Sequence, residues 1–110
     1  MKPVDLIREI VARYEKHGWR LRRVLLRAET RVEVGDLENE LGNVAILDSP
    51  VDALWFSRPS HNNREAWELR LLAETPYALF ETFAPEDSEE NRVTKRSELE
   101  ARLSDYVAKK

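Results

Sequence analysis

The chain has 110 residues, 42% apolar and 35% charged, with a net charge of −3. That is the profile of one folded domain spanning 1–110, not of a disordered segment. Cysteine is absent, which excludes disulfides, thiolate metal sites and a cysteine nucleophile. The longest apolar runs, VAIL (44–47) and ALWF (53–56), fall far below the roughly 20 residues of a membrane span. The N-terminus carries Asp5, Arg8 and Glu9 and so has no signal-peptide core. A soluble cytoplasmic protein with no membrane partner is expected.

Charge is distributed in blocks. Residues 1–31 hold nine Lys/Arg against four Asp/Glu, residues 32–52 six acids and no base, and residues 81–93 five acids and one base. In a small domain such blocks are expected to meet each other across the fold, or else to steer partners.

The first element is a helix over 3–17. Leu6, Ile7, Ile10, Val11 and Tyr14 recur at helical spacing. Pro3 suits the first turn and Gly18 the exit. A strand follows over 19–29, because Arg20, Arg22 and Arg23 break any helical stripe while Leu21 and Leu25 alternate with Val24 and Leu26. TRVEV (30–34) reads as its continuation or as a second strand. GDLENELG (35–42) reads as one or two helical turns between Asp36 and Gly42, and NVAILDSP (43–50) as extended chain. Three further strands between 51 and 83, separated by PSHNN and ETP, form an antiparallel meander. The last helix is expected over 95–109, starting near Thr94 or Ser97. There SELE matches a capping box, and Lys109 and Lys110 suit its C-terminal end.

The fold expected is therefore α+β: an antiparallel sheet of four or five strands with both terminal helices packed on it. Apolar residues fall on both faces of the meander. Trp55 points opposite to Leu54 and Phe56, and Leu72 opposite to Trp67, Leu69 and Leu71. A sheet covered on one side alternates apolar with polar, so two helices on one face leave the other to be covered by residues 44–50, by a second copy, or by another protein. In the central hairpin, Trp55 opposite Trp67 would place Asp52 opposite Arg70.

Catalytic chemistry finds little support. Ser60, His61 and Glu65 cluster in one loop, but adjacent residues on extended chain point apart and no nucleophile elbow surrounds the serine. A site joining His17, His61 and an acid from 36–40 would need the fold to gather distant segments. Glycines at 18, 35 and 42 form no phosphate-binding motif, and no metal-ligand spacing occurs. No catalytic residue, metal or cofactor is assigned.

The function expected is non-enzymatic protein–protein interaction or dimerisation, with another protein or a second copy as partner. Its patch would comprise Leu54, Phe56, Leu72 and Phe80, rimmed by Arg58 and Arg64. On this reading Phe56→Asp disrupts association and spares the fold. The alternative is nucleic-acid binding through Arg20, Arg22, Arg23 and Trp19. No motif names a family. The helix–sheet–helix order and acidic charge broadly resemble small secretion-chaperone-like and immunity-protein-like modules at the level of architecture, which does not fix function.

Overall fold

A computed structural model describes residues 1–42 and 44–109. Asn43, at the head of the extended run, and Lys110, expected to close the last helix, lie outside the described residues. The elements are α1 (Pro3–Glu15), β1 (Arg20–Leu26), α2 (Ala28–Val34), α3 (Leu37–Glu40), β2 (Ala45–Asp48), β3 (Ala53–Pro59), β4 (Glu65–Leu71), β5 (Ala78–Phe83) and α4 (Glu89–Ala108). The class is α+β, with one five-stranded sheet in the order β2-β1-β3-β4-β5.

The sheet is mixed rather than wholly antiparallel, because β2 runs parallel to β1. Parallel neighbours need a crossover of a dozen residues or more, and α2 with α3 supplies it. This corrects the strand expected over TRVEV. Thr30 and Val34 are buried one helical turn apart in α2 and Leu37 opens α3, so tertiary packing overrides the strand propensity of the β-branched residues. Arg27, which precedes α2, offers no side-chain cap. Asp52 caps from outside: its carboxylate accepts the Arg27 amide (2.8 Å) and the Thr30 hydroxyl (2.6 Å). Asp52 is thus a fastener of the crossover and not the cross-strand partner of Arg70. Arg8 adds a forked ion pair to Glu40, both contacts at 2.6 Å, that ties α1 to α3.

The two long helices lie on opposite faces, which corrects the expectation that both share one. α1, α2 and α3 bury Ile7, Ile10, Val34 and Leu37 against Val24, Leu26, Leu54 and Phe56. α4 buries Leu99 and Leu103 against Leu25, Ala53, Trp55, Trp67, Leu69 and Phe83. Face-switching apolar residues therefore find cover within the chain. α4 begins at Glu89, ahead of the expected 95. Ser88 accepts the Asn91 amide at 3.1 Å, so it is the cap, and SELE lies inside the helix.

The central hairpin is shifted by two residues from the expected register. Trp55 faces Leu69, Ser57 faces Trp67 and Pro59 faces Glu65. The turn closes on a Ser60 amide bond to the Arg64 carbonyl (2.8 Å), with Asn62 and Asn63 at φ 56° and 61°. Asparagine tolerates this left-handed region better than most residues. Two such residues allow a tighter turn than the loop composition alone implied. Trp55 and Trp67 still meet, as diagonal neighbours at 5.8 Å in edge-to-face geometry.

At the outer edge of β5, the Leu71 amide bonds the Tyr77 carbonyl at 2.9 Å. The alternation of the ladder then turns the amides of Ala78, Phe80 and Thr82 outward. Thr82 N–H is taken by the carboxylate of its own neighbour, Glu81, at 3.1 Å.

Leu54 and Phe56 are fully buried, and Tyr14 stacks on Phe56 at 4.1 Å. Phe56→Asp should therefore abolish the folded state, contrary to the expectation that it spares the fold. Phe56→Ala should cost about 3–5 kcal/mol, measured by urea unfolding followed by circular dichroism.

Candidate interaction surface around Trp67

The expected apolar patch does not form. Leu54 and Phe56 lie under α1, and Leu72 packs half-buried against the same core. Phe80 alone stands out, 57% exposed, on the part of this face that no helix covers. The two rim arginines are engaged locally. Arg58 donates to the His17 carbonyl (2.8 Å) and lies 4.4 Å over Trp19, while Arg64 donates to the Thr82 hydroxyl (2.8 Å). Trp19 also meets the edge of Tyr14 at 6.0 Å. Its ring is a wall between the end of α1 and the sheet, not a free stacking platform.

Beside that wall lies a cavity of about 360 Å³ lined by Arg13, Tyr14, His17, Trp19, Arg58 and Glu68. The Tyr14 hydroxyl donates a short hydrogen bond to the Glu68 carboxylate. Burial first, and this bond second, push the Tyr14 hydroxyl well above its ordinary value of 10.0. The cavity lining contains neither His61 nor an acid from 36–40. His61 is exposed at the hairpin tip, so Ser60, His61 and His17 are not gathered into one site. Among the described residues no three His, Asp or Glu side chains converge as metal ligands, and no helix is long and apolar enough to cross a membrane.

The opposite face carries the molecule's most unusual grouping. The register between β1 and β3 shifts between Leu21 and Arg23, leaving Arg22 as the extra residue of a β-bulge. In a regular strand consecutive side chains point to opposite faces. The bulge instead brings two consecutive arginines to one face. The guanidinium carbon of Arg22 lies 4.9 Å from the centre of the Trp67 ring, and that of Arg23 lies 5.9 Å away. Arg96 of α4 approaches the same ring at 4.7 Å, and Arg92 and Arg96 both contact Phe83. Cations and aromatic rings thus form a continuous array across β1, β4, β5 and α4, each contact contributing about 0.5–2 kcal/mol.

The charges in this array are only partly compensated. Arg92 pairs with Glu65 at 3.5 Å and Arg96 with Glu89 at 3.1 Å. The indole N–H of Trp67 donates to Glu65 (2.6 Å) and that of Trp55 to Glu100 (2.8 Å). Arg22 has only the Ser57 hydroxyl, at 3.0 Å. The guanidinium of Arg23 has neither a hydrogen bond nor an ion pair among the described residues, although Glu100 and Glu89 act on it through space. Burial and then the charge of Arg96 lower its proton affinity. Arg96 is 4% exposed, and its Nε has no hydrogen-bond partner.

Only Arg22 and Arg23 of the four residues considered for nucleic-acid contact share this surface closely. Arg20 is exposed at the head of β1, opposite Ser57, and Trp19 packs with the other core. Trp67 and Arg96 were not anticipated as site residues. The consecutive arginines in a half-buried strand were the available signal, since strict alternation cannot solvate both alike.

Two outcomes follow. Arg23→Gln should leave stability unchanged or slightly raised, within about 0.5 kcal/mol. Raising salt to about 0.5 M should stabilise the wild type more than this variant, because salt screens repulsion among the arginines. Tyr14 bears on alkaline stability. Its raised folded value keeps stability whole below pH 10.0 and erodes it as pH climbs above that, because the unfolded chain alone then releases the proton. Tyr14→Phe should flatten that alkaline loss in pH-dependent melting curves.

Comparison of the chain with family models, curated proteins and solved structures gives no match.

Proposed function

We propose that the protein is a non-enzymatic interaction module that binds an acidic segment of a partner protein on the Trp67 surface. The bulge at Arg22 carries this reading. It aims two arginines at a ring already occupied by a third, an arrangement that costs repulsion and desolvation and adds no ion pair to the fold. Such local conflict is characteristic of sites kept for binding.

An acidic protein segment fits this surface better than a nucleic acid. The guanidinium fork matches a carboxylate in two parallel hydrogen bonds. A polynucleotide gains affinity from many phosphate contacts spread along a track. Here the cations are concentrated at one point, acids such as Glu89 and Glu100 flank them, and the molecule as a whole carries −3, which repels a polyanion at long range. Beside Arg23 the same face of the sheet presents Ala45, opposite it in β2, and Leu47, 43% exposed. A short apolar margin next to a cationic centre suits a peptide.

The test is fluorescence anisotropy of a labelled Asp/Glu-rich peptide with the full chain. Saturable binding is expected that weakens steeply with salt and falls about tenfold or more in the Arg22→Ala/Arg23→Ala double variant, which circular dichroism should show folded at the assay temperature. No binding at low salt, or preference for single-stranded RNA of the same net charge, would defeat this reading.

A further inference from the structure

We infer that the group this surface is built to hold is a dianionic phosphate monoester on the partner's side chain, in preference to a single carboxylate. The inference rests on the binding role proposed above and sharpens it. Three guanidinium carbons lie within 5.9 Å of the Trp67 ring centre. Glu89 answers Arg96, and Glu65 is shared between Arg92 and the Trp67 indole. Glu100 accepts the Trp55 indole N–H. Because that indole is neutral, Glu100 keeps a full charge that acts on Arg23, and the four arginines exceed the three carboxylates by one. Arg22 and Arg23 have no ion pair among the described residues, and their unanswered N–H donors outnumber the two oxygens of a carboxylate. A phosphate monoester brings three strong acceptor oxygens and about −1.5 to −2 of charge at pH 7.

The donor geometry agrees. One nitrogen of Arg22 is held by the Ser57 hydroxyl, a buried residue of β3, so this guanidinium is positioned before any ligand arrives. A guanidinium carries five N–H donors, and among the described residues none of those on Arg23 has a partner. A fork with its N–H groups unanswered, as on Arg23, can hold a tetrahedral anion through two parallel hydrogen bonds, the form in which arginine–phosphate pairs are frequently found. At the same ring, the buried Nε of Arg96 has no hydrogen-bond partner, so acceptors are in short supply there. A dianion at Arg22 and Arg23 would also relieve the repulsion that Arg96 exerts on Arg23.

The side of β1 on which the anion sits is set by the direction of the Arg22 guanidinium, toward Ser57 and Trp67. Among the described residues β2 pairs with residues 23–26 of β1. Next to the start of β1 lies a cavity of about 590 Å³ whose lining includes Arg20 and Arg22 but also Glu15 and Glu40. Those carboxylates oppose an anion there. The guanidinium of Arg22 is directed away from them, toward Ser57 and Trp67.

The experiment uses the full chain and one peptide in three forms, with Ser, Glu or phosphoserine at its centre among acidic neighbours. Anisotropy measures affinity, and inorganic phosphate serves as competitor. The phosphoserine form is expected to bind about tenfold or more tighter than the Glu form. That advantage should vanish in Arg22→Gln/Arg23→Gln and shrink in Arg23→Lys, which keeps the charge but loses the fork. Thermal melts should show every variant fully folded at the assay temperature. Equal affinity for the Glu and phosphoserine forms overturns the inference while leaving the acidic-segment reading intact. No binding of any form overturns both. If free inorganic phosphate binds as tightly as the phosphopeptide, a protein-borne phosphate is overturned as the ligand.

Discussion

The constraint on which everything else depends is that β3 is buried on both faces. Residues 53–57 are five successive inaccessible side chains, so no face of the central strand can be left to water. Each face must be roofed, and a chain this short has two long helices with which to do it. α1 goes to one side with α2 and α3, and α4 to the other. Neither roof spans all five strands. α1 sits over β1 and β3, leaving β4 and β5 open beside Phe80. α4 sits over β4 and β5, leaving the other side of β1 and β2 open beside Arg23. The two exposed quarters of the sheet are thus a geometric result of sandwiching its middle.

Much of this was legible in the sequence. Helical spacing in 3–14, the strand-length apolar runs after residue 51 and the apolar stripe of the last helix identify most of the elements and the α+β class. Apolar residues on both faces of the meander correctly signalled that both needed cover. What the sequence did not disclose was long-range. Residues 28–34 carry three β-branched side chains, and only the outside cap from Asp52, 22 positions beyond Thr30, makes helix the better state. Likewise the hairpin register turns on two asparagines with left-handed backbone, which composition alone does not place.

The site was half legible for the same reason. Arg22 and Arg23 stood out as neighbours, but which face each would take depended on a bulge set by pairing with β3. Trp67 read as a hairpin anchor and is one. It is also the ring on which β1 and α4 place their cations. Arg96 lay inside a helix stripe interrupted by charge and gave no sign that it would be buried. Buried arginines seldom add net stability compared with well-packed apolar residues. Each face holds one buried arginine; Arg70 under α1 donates to the Leu71 and Ala73 carbonyls, whereas the Nε of Arg96 beside Trp67 has no partner.

The carboxylate that Glu81 folds onto the Thr82 amide has a consequence for the protein as a solute. An edge strand with its amides free, carrying an exposed phenylalanine, is a template on which further chains can stack into fibres. By occupying one outward donor with an ionised side chain, β5 interrupts that template after two positions. The neighbouring Lys95, 4.0 Å from Glu81, adds a second charge at the same spot. An incoming strand could therefore pair beside Ala78 and Phe80 but not run on past Thr82 without displacing Glu81.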